Sequence, residues 1–282
     1  MTHIVLDDVT FAFDAGARTV SPPVLDHVNL SIGEGEFVVL LGPSGCGKST
    51  ILNLIAGFER PLAGRVVSNG RTVEAPSPER GMVFQQPMLY PWLDVWGNVT
   101  FGARMRGTKA AAYTPQAELL LWQMGLLPYR HASPWELSGG MRQRVALARA
   151  WIMQPDILLM DEPFGALDAQ TRALMQELLL QTWAQRRTTI LFVTHDVDEA
   201  LLLGTRILVM SARPGRIREE IRVPFQYPRD AEALATNPAY GTIRAHALHL
   251  VREEARRHME AMQPGTAPLS AYPPADLIRR VS

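Results

Sequence analysis

The chain has 282 residues, of which 20% are charged, and its 28 basic side chains equal its 28 acidic ones in number. This length is enough to bury a sizeable core, and the zero formal net charge gives no electrostatic reason to expect nucleic acid as a partner. The chain has one cysteine, which excludes an internal disulfide framework. It contains no run of about 18 uncharged apolar residues, so we expect no transmembrane helix. The first eight residues lack the basic patch and apolar core of a secretory signal, so we expect a cytoplasmic amino terminus.

The amino-terminal part of the chain has the pattern of a β region. Apolar residues alternate with polar ones over residues 4–11 and again over residues 24–32, which is the period of half-buried strands. The apolar run FVVLL at residues 37–41 predicts a third strand, and shorter strands are predicted at residues 65–68 and 82–84.

A glycine-rich loop follows the predicted strand at residues 37–41 and precedes helix-like sequence at residues 51–56. Its members are Gly42, Pro43, Ser44, Gly45, Cys46, Gly47, Lys48, Ser49 and Thr50. The three glycines allow backbone angles closed to other residues, so that successive N–H groups can turn onto phosphate oxygens beside the positive end of a helix. Lys48 would bring a charge to the β- and γ-phosphates, and the Ser49 hydroxyl would ligate Mg²⁺. The loop therefore predicts a phosphate-binding site for a nucleotide.

A helical pattern occupies residues 95–150 approximately, which predicts a helical insertion. Thr114 and Pro115 are predicted to be the N-cap and first-turn residue of one helix, and Gly125 to lie near a helix end. The apolar segment MLYPW at residues 88–92 precedes this insertion. We expect it to form a surface for a partner, with packing beneath the insertion as the alternative.

The segment LSGGMRQR at residues 137–144 predicts a second anion site. Ser138, Gly139 and Gly140 open a helix whose first turn carries no bulky side chain, so its free N–H groups and the Ser138 hydroxyl are available to an anion. A single nucleotide could hardly use both phosphate sites of one compact lobe. We therefore expect a head-to-tail dimer in which this helix closes over the nucleotide bound by the other chain.

An acidic pair ends the apolar run ILLM at residues 157–160, a run typical of a central strand buried on both faces. Asp161 and Glu162 would then lie at the carboxyl end of that strand, where an open α/β sheet has its ligand crevice. Asp161 would hold Mg²⁺ through water, and Glu162 would act as general base towards the attacking water. The alternative is an acidic pair that only caps the next helix.

The remaining chain predicts further strands and helices. In one helix, Leu174, Leu178, Leu179 and Trp183 recur at helical spacing. Helices are predicted at residues 169–183 and 237–262, and strands at residues 189–194, 207–210 and 217–223. Residues 263–282 are rich in proline and small side chains and are expected to form a flexible tail. Together these patterns predict an α/β core with a helical subdomain inserted between two halves.

Over residues 2–225 the sequence resembles the ATP-binding subunits of ABC transporters. Six motifs stand in the order of that family: a Walker A loop at residues 42–50, a Q-loop at Gln85, a signature at residues 137–143, a Walker B strand at residues 157–162, a D-loop at residues 165–168 and a switch histidine at His195. Met141 replaces the commoner glutamine of the signature. The resemblance implies a P-loop NTPase core of the RecA type with an antiparallel β subdomain and the helical subdomain. We assign residues 1–225 to this domain, and the change in composition beyond Pro224 together with helical periodicity predicts a helical extension at residues 226–262.

The resemblance also implies roles for single residues. Phe13 stands where the family stacks an aromatic ring on adenine. Gln85 would contact Mg²⁺ or the attacking water, and His195 would bind the γ-phosphate; a surface glutamine and a packed structural histidine are the alternatives. Asp168 would either reach the other subunit's active site or cap the next helix. Cys46 is expected to be a small filler that offers only its backbone N–H.

The implied function is that of the ATPase subunit of an importer at the cytoplasmic face of the inner membrane. Two copies would bind two ATP molecules with Mg²⁺ and drive two membrane permease subunits, with a solute-binding protein as an indirect partner. Residues 87–92, 161–168 and 211–217 resemble the taurine, alkanesulfonate and nitrate importer branch, and the length and helical tail resemble its taurine members most. An importer for another small solute and an exporter ATPase are the alternatives. A DNA-repair ATPase of this family would need a long coiled coil between its two halves, whereas this chain has only the compact segment at residues 95–149. A ribosome-acting factor would need two cassettes in one chain, whereas this chain has one.

Overall fold

The computed structural model describes residues 2–13 and 22–262, so the predicted tail at residues 263–282 lies outside the described residues. The described strands are β1 (Thr2–Phe11), β2 (Leu25–Gly33), β3 (Phe37–Leu41), β4 (Ala63–Ser68), β5 (Arg71–Thr72), β6 (Arg80–Val83), β7 (Ile157–Asp161), β8 (Thr189–Thr194), β9 (Arg206–Met210) and β10 (Ile217–Arg222). The described α-helices are α1 (Lys48–Ala56), α2 (Val95–Met105), α3 (Ala110–Gln123), α4 (Gly139–Trp151), α5 (Ala169–Arg186), α6 (Val197–Leu203), α7 (Ala231–Ala235) and α8 (Pro238–Met262). Within these residues, no helix is both long and apolar enough to cross a membrane.

Two sheets form the core of the molecule. One has the strand order β2-β1-β4-β5 and is antiparallel. The other has the order β10-β9-β3-β8-β7-β6 and is parallel except for β10 at its edge. The alternating apolar residues of β1 are all buried, whereas β3 and β8 are buried at every position, as strands covered on both faces should be. The predicted α/β fold class, with its antiparallel β part, is confirmed.

The helical insertion lies between β6 and β7 and consists of α2, α3 and α4. The prediction for Pro115 was wrong, because α3 already begins at Ala110 with Lys109 as its N-cap. The alanine-rich start of α3 favours a helix strongly enough to place Pro115 inside it, at the loss of one intrahelical hydrogen bond. Gly125 follows the C-cap Met124 with a φ of 64°, which confirms its predicted position at a helix end.

The buried face of α5 is set by Met175, Leu179 and Trp183, which lie one above another at four-residue spacing. Leu174 belongs to the same apolar pattern in the sequence but is 62% exposed. Its position one residue before Met175 turns it by about 100° away from the core-facing line. The helix itself was predicted correctly.

Arg229 ties the carboxyl-terminal extension to the core. It is 8% exposed, and its guanidinium donates to the carbonyl oxygens of Phe225, Leu201, Leu202 and Gly204 at 2.7–3.2 Å. Three of these carbonyls lie at or just beyond the carboxyl end of α6, where helix carbonyls have no intrahelical partner and a positive charge is favourable. The extension therefore begins at a fixed point on the core.

Candidate functional site

The glycine-rich loop connects β3 to α1, as predicted. Gly45 and Gly47 have φ values of 78° and 97°, in the left-handed region that glycine tolerates, and Gly47 is the N-cap of α1. Gly42 is not among the glycines with positive φ, so its predicted need for unusual angles was wrong. Its small size matters instead, because a Cβ there would lie 3.0 Å from the Cys46 sulfur and 3.3 Å from the Met210 carbonyl oxygen, so these neighbours would have to shift slightly.

A cavity of about 390 Å³ opens beside this loop. The sequence-predicted residues that line it are Phe13, Ser44, Gly45, Gly47, Lys48, Ser49, Thr50, Gln85, Asp161, Glu162 and His195. Sheet order explains why they meet: β3, β8 and β7 are adjacent and parallel, so the loop after β3, His195 after β8 and Asp161 at the end of β7 share one edge. The cavity lies at the carboxyl ends of the strands, where ligands of open α/β sheets bind.

Lys48 is buried in the loop, and its amine donates to the loop's own carbonyl oxygens. The distances from Nζ are 2.8 Å to the oxygen of Gly42 and 2.9 Å to that of Pro43. These bonds hold a positive charge at the wall of the cavity. The amine is therefore available to an anion that replaces the carbonyl oxygens as its acceptor.

Asp161 and Ser49 form an oxygen-rich corner of the cavity. Burial raises the pKa of the Asp161 carboxyl above its ordinary value, and the charge of Glu162 raises it further. Hydrogen bonding from Ser49 and the charge of Lys48 act in the opposite direction. A carboxylate and a hydroxyl are the hard oxygen donors that Mg²⁺ prefers, so the residues present fit that ion.

Glu162 and His195 face each other, with 3.1 Å between the carboxylate Oε2 and the imidazole Nδ1. The Glu162 side chain is 19% exposed, whereas that of His195 is 67% exposed. Glu162 has a φ of 43°, which is unusual for a residue with a side chain and is held by its N–H bond to the carbonyl of Val193 on β8. Such strained backbone is common at functional sites.

Comparison with known proteins assigns this chain to a family. The family model described as ABC transporter matches residues 25–165. The taurine import ATP-binding protein TauB of Jannaschia sp. (strain CCS1) is 45% identical over 254 residues, covering 89% of this chain and 94% of the relative. A putative ATP-binding protein of Brucella abortus (strain 2308) is 48% identical over 227 residues, covering 80% of this chain and 87% of the relative.

The chain belongs to the ABC transporter ATP-binding family. A solved dimeric ATP-binding cassette bound to ADP and phosphate, described as a post-hydrolysis state, is 33% identical, with a TM-score of 0.70 and coverage of 79% of this chain and 100% of that one. Like the members of its family, this chain binds ATP and is an ATPase whose hydrolysis is coupled to transport.

The signature residues of this ABC ATPase do not line the cavity of their own chain. Ser138 is the N-cap of α4 and accepts a hydrogen bond from the Met141 N–H at 3.2 Å. A Cβ on Gly139 would have no heavy atom within 4 Å, so the start of α4 is open to an approaching molecule. A Cβ on Gly140 would lie 3.3 Å from Leu167, which brings the signature beside the D-loop.

Asp168 caps α5 by accepting the Thr171 N–H at 2.9 Å, and this bond helps to lower the pKa of its carboxyl. The sequence left two roles open for Asp168, capping α5 and reaching the active site of another subunit. The structure of one chain shows the capping role. Cys46 is almost completely buried beneath the loop, and burial raises the pKa of its thiol. Only its backbone N–H is therefore available to a ligand.

The Q-loop is attached to α4 by three side-chain bonds. The amide of Gln143 donates to the carbonyl oxygen of Phe84 at 3.3 Å. The guanidinium of Arg149 donates to the carbonyl oxygens of Pro87 at 3.0 Å and Met88 at 2.7 Å. The helix that begins at the signature thus holds the backbone on both sides of Gln85.

Two residues that line the cavity were missed in the sequence. Val24 precedes β2, and Arg213 follows β9. A usable signal existed for Arg213: a basic residue in a Pro-Gly turn, just after a buried strand that pairs with the phosphate-loop strand β3. In the sequence, the segment at residues 211–217 indicates the importer branch and does not by itself predict a binding residue.

Proposed function

We propose that this chain is the ATP-hydrolysing subunit of an ABC importer for taurine or another sulfonate. The observation that carries this proposal is the 45% identity to a taurine import ATP-binding protein, of which the chain covers 94%. Import of nitrate or of another small solute, and export, remain the alternatives. The ATP-binding subunit does not itself hold the solute, so the class of solute is inferred from similarity alone.

The proposed reaction uses the residues of the cavity. The loop N–H groups and Lys48 bind the β- and γ-phosphates, and Phe13 stacks on the adenine. Glu162 takes the proton of the attacking water while His195 orients the γ-phosphate and Gln85 the water. The new bond joins water oxygen to the γ-phosphorus, and ADP leaves with the bridging oxygen. Ser49, Asp161 and Gln85 would hold Mg²⁺, which would neutralise phosphate charge.

We further propose that the working unit is a head-to-tail dimer of this chain. The open start of α4 at Gly139 supports this arrangement, and so does the fact that the signature residues do not line the nucleotide cavity of their own chain. Ser138, Gly139 and Gly140 would then bind the γ-phosphate of the nucleotide held by the partner. Asp168 lies beside the signature and would sit at the same dimer interface.

The general base is tested by Glu162→Gln. An amide cannot accept the proton, and a positioned general base contributes about 10²–10⁴-fold to the rate. We expect ATP binding to be retained, hydrolysis to be lost and a closed dimer to accumulate on a sizing column with ATP. Glu177→Gln, which changes an exposed glutamate of α5, is the matched control. Near-normal turnover of Glu162→Gln would remove this residue from the catalytic role.

The dimer is tested by mixing two defective chains. Ser138→Arg should stop hydrolysis without affecting nucleotide binding to monomers, and Lys48→Ala should impair binding. In a head-to-tail mixed dimer, one site carries both defects and the other carries none, so hydrolysis should partly return. If Ser138 serves its own nucleotide, each site keeps one defect and no activity returns. Ser138→Ala controls for the lost helix cap, which is worth about 1 kcal/mol.

Two permease subunits are the proposed membrane partners, and residues 87–92 are their proposed contact. Trp92 is 73% exposed and Met88 is also exposed, whereas Leu89 packs against the core. Packing beneath the helical insertion therefore accounts for Leu89 and not for Trp92. Met88→Ser with Trp92→Ala should weaken co-purification with the permease and leave ATP affinity unchanged. Full assembly by this folded double variant would exclude the contact.

The solute is tested in liposomes that contain the chain, its permease and the solute-binding protein. Taurine should stimulate ATP hydrolysis and be taken up, and nitrate should do neither. The reverse result would replace the sulfonate assignment and leave the ATPase assignment intact.

A further inference from the structure

The loop at residues 211–216 lies directly against the phosphate loop. A Cβ on Gly215 would be 2.1 Å from the carbonyl oxygen of Cys46, so only glycine allows this approach. Gly215 also donates its N–H to the Val24 carbonyl at 2.8 Å and accepts from the Asp26 N–H at 3.1 Å. Arg213 is two residues from this anchor and lines the nucleotide cavity. The backbone contacts of Gly215 therefore fix the position of the Arg213 backbone beside the cavity.

Sheet order defines the side from which Arg213 approaches. β9 lies on one side of β3, whereas β8 and β7, which carry His195 and Asp161, lie on the other. Val24, which Gly215 contacts, is bonded through its N–H to the Phe11 carbonyl, two residues before Phe13. Arg213 thus enters on the Phe13 side of the cavity, away from the groups proposed to act on the γ-phosphate.

The carboxyl-terminal helix α8 holds the other side of this loop through Glu254. This carboxylate is 1% exposed and accepts the N–H of Ala212, the residue before Arg213, at 2.8 Å. Arg218 on β10 and Arg257 on α8 donate to the same carboxylate and compensate its buried charge. A hydrogen bond next to a cavity-lining arginine therefore connects α8 to the nucleotide cavity.

We propose that Arg213 is a further nucleotide-binding residue, whose guanidinium binds the ribose and α-phosphate part of the nucleotide, and that α8 positions it through Glu254. The inference rests on the proposed nucleotide site and adds a function for the carboxyl-terminal extension. A guanidinium offers several N–H donors to phosphate oxygens, and a fixed backbone lowers the entropy lost on binding. Because ATP and ADP share the α-phosphate and ribose, Arg213 serves both.

The first test measures the affinities of the full-length protein for ATP and ADP by titration calorimetry. Arg213→Ala should weaken both by about the same factor, of the order of 5- to 20-fold for an exposed charge-assisted bond. Arg222→Ala removes an equal charge from the exposed part of β10 and should leave both affinities unchanged. Unchanged affinities of Arg213→Ala, or a loss confined to ATP, would overturn the proposal.

The second test addresses Glu254. Glu254→Gln should weaken both nucleotides by about two- to fivefold, because a neutral amide holds the Ala212 N–H less firmly. Glu253→Gln is the matched control, since Glu253 also pairs with Arg218 and Arg257 but does not contact Ala212. Glu254→Asp, which shortens the side chain, is the alternative if the glutamine variant unfolds.

A double variant separates positioning from a general loss of structure. If Glu254 acts through Arg213, adding Glu254→Gln to Arg213→Ala causes no further loss of affinity. Losses that multiply would overturn the positioning role. Failure of the proposed function looks different: if Glu162→Gln still hydrolyses ATP while Arg213→Ala binds both nucleotides weakly, the catalytic assignment fails and this one stands.

Discussion

Arg149→Met should loosen the Q-loop without changing any residue of the nucleotide cavity. The wild-type guanidinium bonds two carbonyl oxygens, of Pro87 and Met88, and lies 5.4 Å from the centre of the Tyr90 ring. Each bond to a charged donor contributes about 1.5–3 kcal/mol, and the contact with the ring about 0.5–1 kcal/mol. Taking the lower limit for both bonds and for the ring contact, we expect a loss of about 3.5 kcal/mol.

The assay is amide hydrogen exchange over residues 85–92, together with urea unfolding. If the loss is local, exchange in this segment should accelerate by about 300-fold, the factor equivalent to about 3.5 kcal/mol. Arg149→Lys keeps the charge but not the two-pronged geometry and should give an intermediate result. Arg144→Met is the matched control, because Arg144 on the same helix donates to a carbonyl of Met124, far from the Q-loop in sequence.

Equal exchange at residues 85–92 in Arg149→Met and Arg144→Met would contradict this prediction. That result would mean that Arg149 stabilises α4 as a whole and does not hold the Q-loop. Faster exchange confined to the segment, with weaker stimulation of hydrolysis by the permease, is the outcome that the hydrogen bonds predict.

Three further changes have defined outcomes. The pKa of Asp161 in the folded chain lies above its ordinary value of 3.8, so the folded chain binds the carboxyl proton more tightly than the unfolded chain does. The free energy of unfolding therefore falls as the pH rises from 3.8 through the folded pKa and Asp161 ionises. Asp161→Asn should therefore raise Tm at neutral pH in the absence of nucleotide while abolishing hydrolysis; an unchanged or lower Tm in calorimetry would contradict this. Arg229→Met should lower the free energy of unfolding by about 3 kcal/mol or more, measured in urea, because several buried carbonyls lose their donor; a loss below about 1 kcal/mol would show that water replaces the guanidinium. Cys46 should react slowly with iodoacetamide with or without ATP, since its thiol is buried and its pKa raised; rapid alkylation without nucleotide would mean that the loop opens.

Local patterns in the sequence were sufficient for much of the fold and the site. The phosphate loop, the acidic pair and the buried strands are each encoded within a few consecutive residues, and parallel strand order then brings Lys48, Asp161 and His195 together. The capping role of Asp168 was also accessible, since this residue directly precedes its helix.

What was missed depends on contacts between distant parts of the chain. Arg149 donates to carbonyl oxygens 61 and 62 residues away, and Glu254 accepts from an N–H 42 residues away. Such long-range pairs produce no periodic pattern in the sequence. The error at Pro115 has a different cause, because a rule for helix starts was outweighed by the helix propensity of the preceding alanines. Leu174 shows that apolar spacing alone does not select the buried side of a helix.

The length of α4 between Ser138 and Arg149 has a mechanical consequence. Ser138 at its start and Arg149 near its end are separated by about 16 Å at the rise of an α-helix. A tilt of about 10° about the Arg149 end would therefore move Ser138 by roughly 3 Å, about the length of one hydrogen bond. A neighbouring protein that tilts α4 by displacing residues 87–88 would therefore move Ser138 far enough to make or break a hydrogen bond to a phosphate.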